Sequence, residues 1–373
     1  MKKVIVIGAG ILGASTAYHL VKLGVEVTLI DRKDIGQATD AAAGIVCPWI
    51  SQRRNKAWYE LVKGGARYYP TLIKQLEQDG EKDTGYKQVG AISLHTNEEK
   101  LEQMAERARK RREDAPEIGE IKILTPKETK ELFPPLADEF GSVYISGGAR
   151  VNGRALRDAL INAAKKLGVT YIEGEASLLT EGNTIEGVNV AGSEVLADTI
   201  IVTGGSWSRE LLEPLGFKFQ VTPQKAQIVH LRLEETDTSD WPVVMPPNNQ
   251  YLLSFEDGRV VVGATHEDEA GWDKRITAGG INEVLSKALE VAPGLADSTW
   301  LETRVGFRPF TPGFLPVFGA IPNYNGLFVA NGLGASGLTA GPYIGAELAK
   351  LVLGQPMELD LSRYNVEEAL STD

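Results

Sequence analysis

Val4-Ile-Val-Ile-Gly8-Ala-Gly10-Ile-Leu-Gly13, carried on through Leu23-Gly24 to Val25–Asp31, decides the fold. Val4–Ile7 reads as a short buried strand and Gly8–Gly13 as a tight turn. Ile11 to Leu23 repeats with helical period, placing Ala14, Ala17, Leu20 and Val21 on one face. Gly24 stops that helix, and Val25–Asp31 is a second strand. Strand, turn, helix and strand make the unit from which parallel sheets are built. Gly8, Gly10 and Gly13 have the G-x-G-x-x-G spacing, and Asp31 lies eighteen residues beyond the last of them. In this setting the spacing has a physical meaning. Gly8 permits the turn, Gly10 lets backbone approach a pyrophosphate, and Gly13 brings helix and strand close. The helix start at Ile11 and Leu12 offers free amides and partial positive charge to phosphates. Asp31, with Arg32 beside it, offers oxygens to ribose hydroxyls, which argues against a 2′-phosphate and so against NADP. This motif alone leaves NAD and FAD open.

Composition narrows the rest. The chain has 373 residues, 43% hydrophobic and 24% charged, as in a globular protein of two domains or one elaborated one. A net charge of −11 disfavours nucleic acid as a partner. The basic run Arg107–Arg112 lies among Glu102, Glu106, Glu113 and Asp114 and reads as a solvated helix face. Cys47 is the one cysteine, so no internal disulfide forms and a reducing, cytoplasmic setting is expected. The apolar run at the start breaks at Gly8-Ala9-Gly10, unlike a signal peptide. With no apolar stretch of membrane-spanning length, contact with a membrane is at most peripheral.

Further along, helices are expected at Trp58–Gln78, Asn97–Asp114 (Asn97 as N-cap), Asn152–Leu167, Ala278–Val291 and Gly337–Leu353. Strands are expected at Val89–His95, Val143–Ser146, Val169–Glu173, Thr184–Val190, Thr199–Thr203, Gln227–Leu233, Tyr251–Phe255, Val260–Gly263 and Leu327–Ala330, with Asp257-Gly258 a hairpin turn. The nucleotide-binding patterns fall at the start, middle and end. The expectation is an α/β protein: a discontinuous Rossmann-type domain (1–82, 146–217, 306–373) and an α+β substrate domain with a mixed or antiparallel sheet (83–145, 218–305).

Five segments in this order, the glycine turn, Thr39–Gly44, Thr203-Gly-Gly-Ser-Trp207, Gly306-Phe-Arg-Pro309 and Gly332–Thr339, resemble the D-amino acid oxidase family of flavoproteins, which includes glycine oxidase, sarcosine oxidase and D-amino acid dehydrogenase. The resemblance spans nearly the whole chain and implies FAD. It also implies site residues. Thr39, Ala42, Ala43, Gly44 and Ile45 match the loop along the ribityl and pyrophosphate side. Glu175-Ala176 matches the strand that meets adenine. Thr203, Gly204, Gly205 and Trp207 match a second glycine turn. Gly334, Ala335, Ser336, Gly337, Leu338 and Thr339 match the helix start facing the pyrimidine edge, where the dipole would stabilise charge on reduced flavin. Arg308 matches the arginine that clamps a substrate carboxylate, a task suited to its planar fork. The bland alternative is a structural arginine paired with Glu302 or Asp297. Tyr251 resembles a substrate-side tyrosine.

Two departures matter. The family often carries an acid after Arg-Pro-x-Thr-x; here Gly313 follows Pro312. Sarcosine oxidases attach flavin through a C-terminal cysteine; this chain has only Cys47, so FAD is expected to be non-covalent. A lysine of sarcosine oxidases that assists O₂ reduction aligns with Val260–Val262, which favours a dehydrogenase. The four histidines, His19, His95, His230 and His266, are scattered without metal-ligand spacing, so no metal is expected. His19 reads as a packed residue, while His266 is a candidate for the border of the active site.

The function implied is oxidation of a small amine or amino acid (glycine, sarcosine, proline or D-amino acid type) to a hydrolysable imine, by hydride transfer from Cα to flavin N5. The electron acceptor would be O₂ or a quinone, and a homo-oligomer is compatible with it. Alternatives are a 2-hydroxy acid oxidoreductase and a flavin-binding protein without turnover.

Overall fold

The structure is a computed structural model that describes residues 2–371. Among these, eight α-helices follow in chain order: α1 Ile11–Lys22, α2 Lys56–Gln78, α3 Glu98–Arg112, α4 Pro126–Leu132, α5 Gly153–Lys166, α6 Ser208–Leu212, α7 Ala278–Val291 and α8 Gly337–Val352. Asn55, Asn97 and Asn152 cap α2, α3 and α5, each accepting a first-turn amide through its side chain.

The first strand lies inside a six-stranded sheet ordered Val317–Ala320, Leu327–Asn331, Thr199–Val202, Lys3–Ile7, Glu26–Asp31, Thr170–Glu173. Its pairings are parallel except that of the edge strand Val317–Ala320. Alternation along Lys3–Ile7 sends Val4 and Val6 to one core and Ile5 and Ile7 to another. The first core lies under α1, α5 and α8, with α5 and α8 each packed on α1. The second is closed by the three-stranded antiparallel sheet of Ala176–Glu181, Thr184–Val190 and Ser193–Leu196. A strand buried on both faces must be apolar throughout, which is why its sequence shows no polar alternation.

The second sheet has eight strands ordered Thr299–Phe310, Thr222–Arg232, Arg259–Gly263, Tyr251–Ser254, Val243–Met245, Ala91–His95, Gly141–Ile145, Ile121–Leu124. It is antiparallel save for the pair Val243–Met245 with Ala91–His95. Helix α7 covers one face, burying Val284, Ala288 and Val291 against Val229, Val260 and Val262. Asp257 and Gly258, both at positive φ, turn Tyr251–Ser254 into Arg259–Gly263, as the Asp-Gly pair predicts. The twelve-residue strand Thr299–Phe310 was not expected. It pairs along its length with Thr222–Arg232, so the expected passage between the two parts at 305/306 is made inside one strand.

The basic run needs correction. Arg109, Lys110 and Arg112 are exposed as expected. Arg107 and Arg111, one turn apart, face inward. Arg111 donates to the carbonyls of Trp49 and Ser51, and its guanidinium lies 4.6 Å over the Tyr59 ring.

Two buried polar residues on Thr222–Arg232 bear on stability. His230 is 3% exposed, and neither ring nitrogen has a hydrogen-bond partner among the described residues. Burial first, then the Arg304 charge, hold its pKa down to about 3. A histidine so depressed favours the fold while neutral. Its contribution is complete above the unfolded pKa near 6.5 and is lost as pH falls toward 3. Between pH 6 and pH 5 stability is expected to fall with pH through this group, on the order of 1 kcal/mol per pH unit. Chemical unfolding at several pH values should show a shallower slope in His230→Gln. Lys225 is fully buried with Nζ 3.1 Å from Asp273 and 3.5 Å from Glu267. Lys225→Met removes the buried cation from between them, leaving Asp273 to Arg275 and Glu267 to Gln227 and Thr265, and the unfolding midpoint is expected to fall by a few degrees.

No helix among the described residues is long and apolar enough to cross a membrane.

Candidate active site

Where the carboxyl ends of the parallel strands meet the second sheet, the chain encloses a cavity of about 420 Å³. The glycine turn forms its middle. Ala14 N starts the helical ladder by donating to Gly10 O, so the amides before it in α1 lack ladder partners. Ile11 N donates to Thr39 Oγ1 at 3.0 Å. Thr203 Oγ1 donates to Ile7 O and Gly8 O at 2.9 Å, tying the second glycine turn beneath the first. At one end Asp31 accepts from Ala9 N at 2.6 Å, Lys33 N at 2.6 Å and Gln37 Nε2 at 2.9 Å. A carboxylate has about four acceptor positions, so capacity for a ribose hydroxyl is left. Arg32 closes that end, held by Asp34, Glu175 and Glu210.

At the other end the second sheet contributes Arg308 and Tyr251. Strand register sets Gln224 opposite Arg308. Arg308 Nη1 donates to Gln224 Oε1 at 2.9 Å, and Gln224 Nε2 donates to Asp268 at 2.7 Å, which fixes the amide with its oxygen toward the guanidinium. Among the described residues no carboxylate lies within 4.0 Å of Arg308. Glu302, its expected rival partner, is taken by Arg304. Burial raises the Tyr251 phenol, and the nearby Arg308 charge draws it partly back, so it is protonated at neutral pH. His266 lies close enough to Arg308 for that charge, after burial, to lower its pKa, but it does not line the cavity.

The expected site residues converge with three exceptions. Gly8, Gly10, Ile11, Leu12, Asp31, Arg32, Thr39, Ala42, Ala43, Gly44 and Ile45 line the cavity, as do Ala176, Thr203, Gly204, Gly205, Trp207, Tyr251, Arg308, Gly334, Ala335, Gly337 and Leu338. Gly13 does not: a Cβ there would fall 1.8 Å from Gly8 O, so its role is the close helix approach. Ser336 accepts from Trp58 Nε1 at 2.9 Å, and Thr339 donates to Ile45 O at 2.9 Å. Those two hold α8 against α2 and the Gly44 loop without lining the cavity. Missed were Gln37, Phe307 and Leu333, which line it, and Gln224. The pairing signal for Gln224 lies in an unexpected strand. Cys47 is buried with its thiol pushed up out of the reactive range. No group of three or more His, Cys, Asp or Glu side chains suited to a metal exists among the described residues.

Residues 3–351 match the family model of the DAO type, described as FAD dependent oxidoreductase. The chain belongs to this family. It is 66% identical over 372 residues to the uncharacterised oxidoreductase YurR of Bacillus subtilis (strain 168), covering all of both chains. Among solved structures it resembles iminodiacetate oxidase (IdaA) from Chelativorans sp. BNC1, with TM-score 0.94, 48% identity and coverage of 97% of this chain and 98% of that one. It also resembles glycine oxidase from Geobacillus kaustophilus, with TM-score 0.86, 26% identity and coverage of 98% and 99%. The chain is thus an FAD-dependent oxidoreductase of a family acting on the C–N bonds of amines or amino acids.

The DAO-family cofactor fits the residues present. A Cβ placed on Gly10 would meet only Thr39 Oγ1, at 3.4 Å, and otherwise enter the cavity, so a bare backbone cradle stands at the start of α1. The acid at one end and the helix start of α8 farther along suit an adenosine sugar and a flavin ring.

Proposed function

We propose that this chain oxidises a small amino acid at the carbon between nitrogen and carboxylate, with glycine- and iminodiacetate-type donors as the leading candidates. The observation that carries this reading is the guanidinium of Arg308, at the cavity wall without a carboxylate partner. Its fork suits a substrate carboxylate, and a substrate held there by two parallel bonds has its Cα–H oriented. Asp268 acting through Gln224 keeps the fork from rotating. Tyr251 supplies a neutral hydroxyl at the same wall. Flavin, when bound, supplies the chemistry by accepting a hydride equivalent at N5. The neutral amine would lose a hydride, two electrons and one proton, and then a second proton to solvent to leave the imine, which water hydrolyses to a carbonyl compound and an amine or ammonia. The likeness at 48% identity to a protein named for iminodiacetate supports a donor with a second carboxylate. The electron acceptor in this reading is O₂ or a quinone, and the setting cytoplasmic.

The test is anaerobic mixing of the yellow protein with glycine, sarcosine, iminodiacetate, proline, D-alanine and glycolate. Bleaching by glycine or iminodiacetate is expected. Bleaching by glycolate alone would turn the reading to 2-hydroxy acids, and bleaching by none would overturn it.

A further inference from the structure

A second cleft opens where α2 begins against α3, and no residue lining it also lines the flavin cavity. Six cations line it, Arg53, Arg54, Lys56, Arg107, Arg111 and Arg363, against one acid, Glu60. On a chain of net charge −11 such a cluster runs against the average. Arg363 has a carboxylate partner, Asp360 at 3.3 Å, and Glu60 is engaged by Lys63. Among the described residues the other five cations have no carboxylate within 4.0 Å. Arg107 and Tyr59 line the cleft, and behind its surface Arg107 Nε and Tyr59 Oη have no hydrogen-bond partner among the described residues.

Two of these cations are also held in place. Arg53 donates to Phe314 O and lies 4.7 Å over the Trp58 ring, and Arg111 is fixed by two loop carbonyls and Tyr59. The start of the 23-residue α2, capped by Asn55, adds its partial positive charge. Like charges gathered without counter-charge repel, and a single ligand bearing two or three negative charges relieves several of them together. Guanidinium forks match phosphate and carboxylate oxygens alike.

We infer that this cleft binds a small multivalent anion, a phosphate ester or a di- or tricarboxylate, separately from the substrate clamp at Arg308. Trp58, whose backbone amide donates to the Asn55 cap and whose indole donates to Ser336 at 2.9 Å, places the cleft one side chain from the start of α8.

The test is isothermal titration of the flavin-loaded protein with pyrophosphate and, separately, with citrate at low ionic strength. Wild type is compared with the double variant Arg54→Gln, Arg107→Gln. Neither side chain makes a hydrogen bond or ion pair among the described residues, so the variant is expected to fold, which its visible flavin spectrum reports. The expected result is saturable binding that weakens with added salt and is roughly tenfold or more weaker in the variant. Tighter pyrophosphate identifies a phosphate ligand, and tighter citrate a carboxylate. Absence of saturable binding by either anion, or equal affinity in the variant, would overturn the inference.

Discussion

Arg308→Ala is expected to bind amino acid substrates roughly ten- to a hundredfold more weakly, a loss of about 1.5–3 kcal/mol for a charge-assisted hydrogen-bonded contact. Flavin content and spectrum should be unchanged. The substitution is clean because Arg308 has no acidic partner among the described residues, so its removal leaves no buried carboxylate uncompensated. Within the protein its bond to Gln224 and its contact with the Tyr251 hydroxyl are lost. Arg308→Lys keeps the charge but not the fork and should recover part of the affinity. Anaerobic spectral titration with a substrate-like carboxylate separates binding from turnover. Unchanged affinity in Arg308→Ala would remove the clamp from the mechanism.

The second large effect concerns the cofactor. Gly10→Val is expected to give a folded, colourless protein whose affinity for FAD falls at least about a hundredfold, or roughly 2.7 kcal/mol. Gly10 has φ −64°, ordinary for any residue, so valine adds no backbone strain. Its methyl groups would occupy the space where the pyrophosphate meets main chain. Gly13→Ala is a different lesion, because its Cβ would strike Gly8 O and stand 2.5 Å from Thr203 Oγ1, disturbing the turn itself. Circular dichroism together with fluorescence titration by FAD distinguishes the two. Wild-type affinity in Gly10→Val would move the cradle elsewhere.

Much of this was legible in sequence because the nucleotide half is built from local signals. A buried strand, a glycine turn, a helix and an acid all fall within Val4–Asp31, and each leaves its own mark on composition. The resemblance carried the later loops but placed residues to within a helical turn, so Ser336 and Thr339 fell on the packing side of α8. The second sheet was harder. Thr299–Phe310 carries Trp300, Gly306 and Pro309 and does not alternate cleanly. Its identity comes from pairing with Thr222–Arg232, a contact some eighty residues away along the chain. Gln224 is set against Arg308 by that register, which no local pattern encodes. Arg107 and Arg111 show the same limit: the charge of a helix face is visible in sequence, but not what lies against it.

One strand sets Gly306, Phe307 and Arg308 side by side along the cavity, the last as the proposed substrate clamp. The distance from ring to clamp is therefore set by adjacent peptide units and cannot drift as the surroundings vary. Diversification toward bulkier donors would have to proceed on the opposite wall, around Tyr251 and the turns beside it, while Gly306–Arg308 acts as an invariant ruler against which each new pocket is measured.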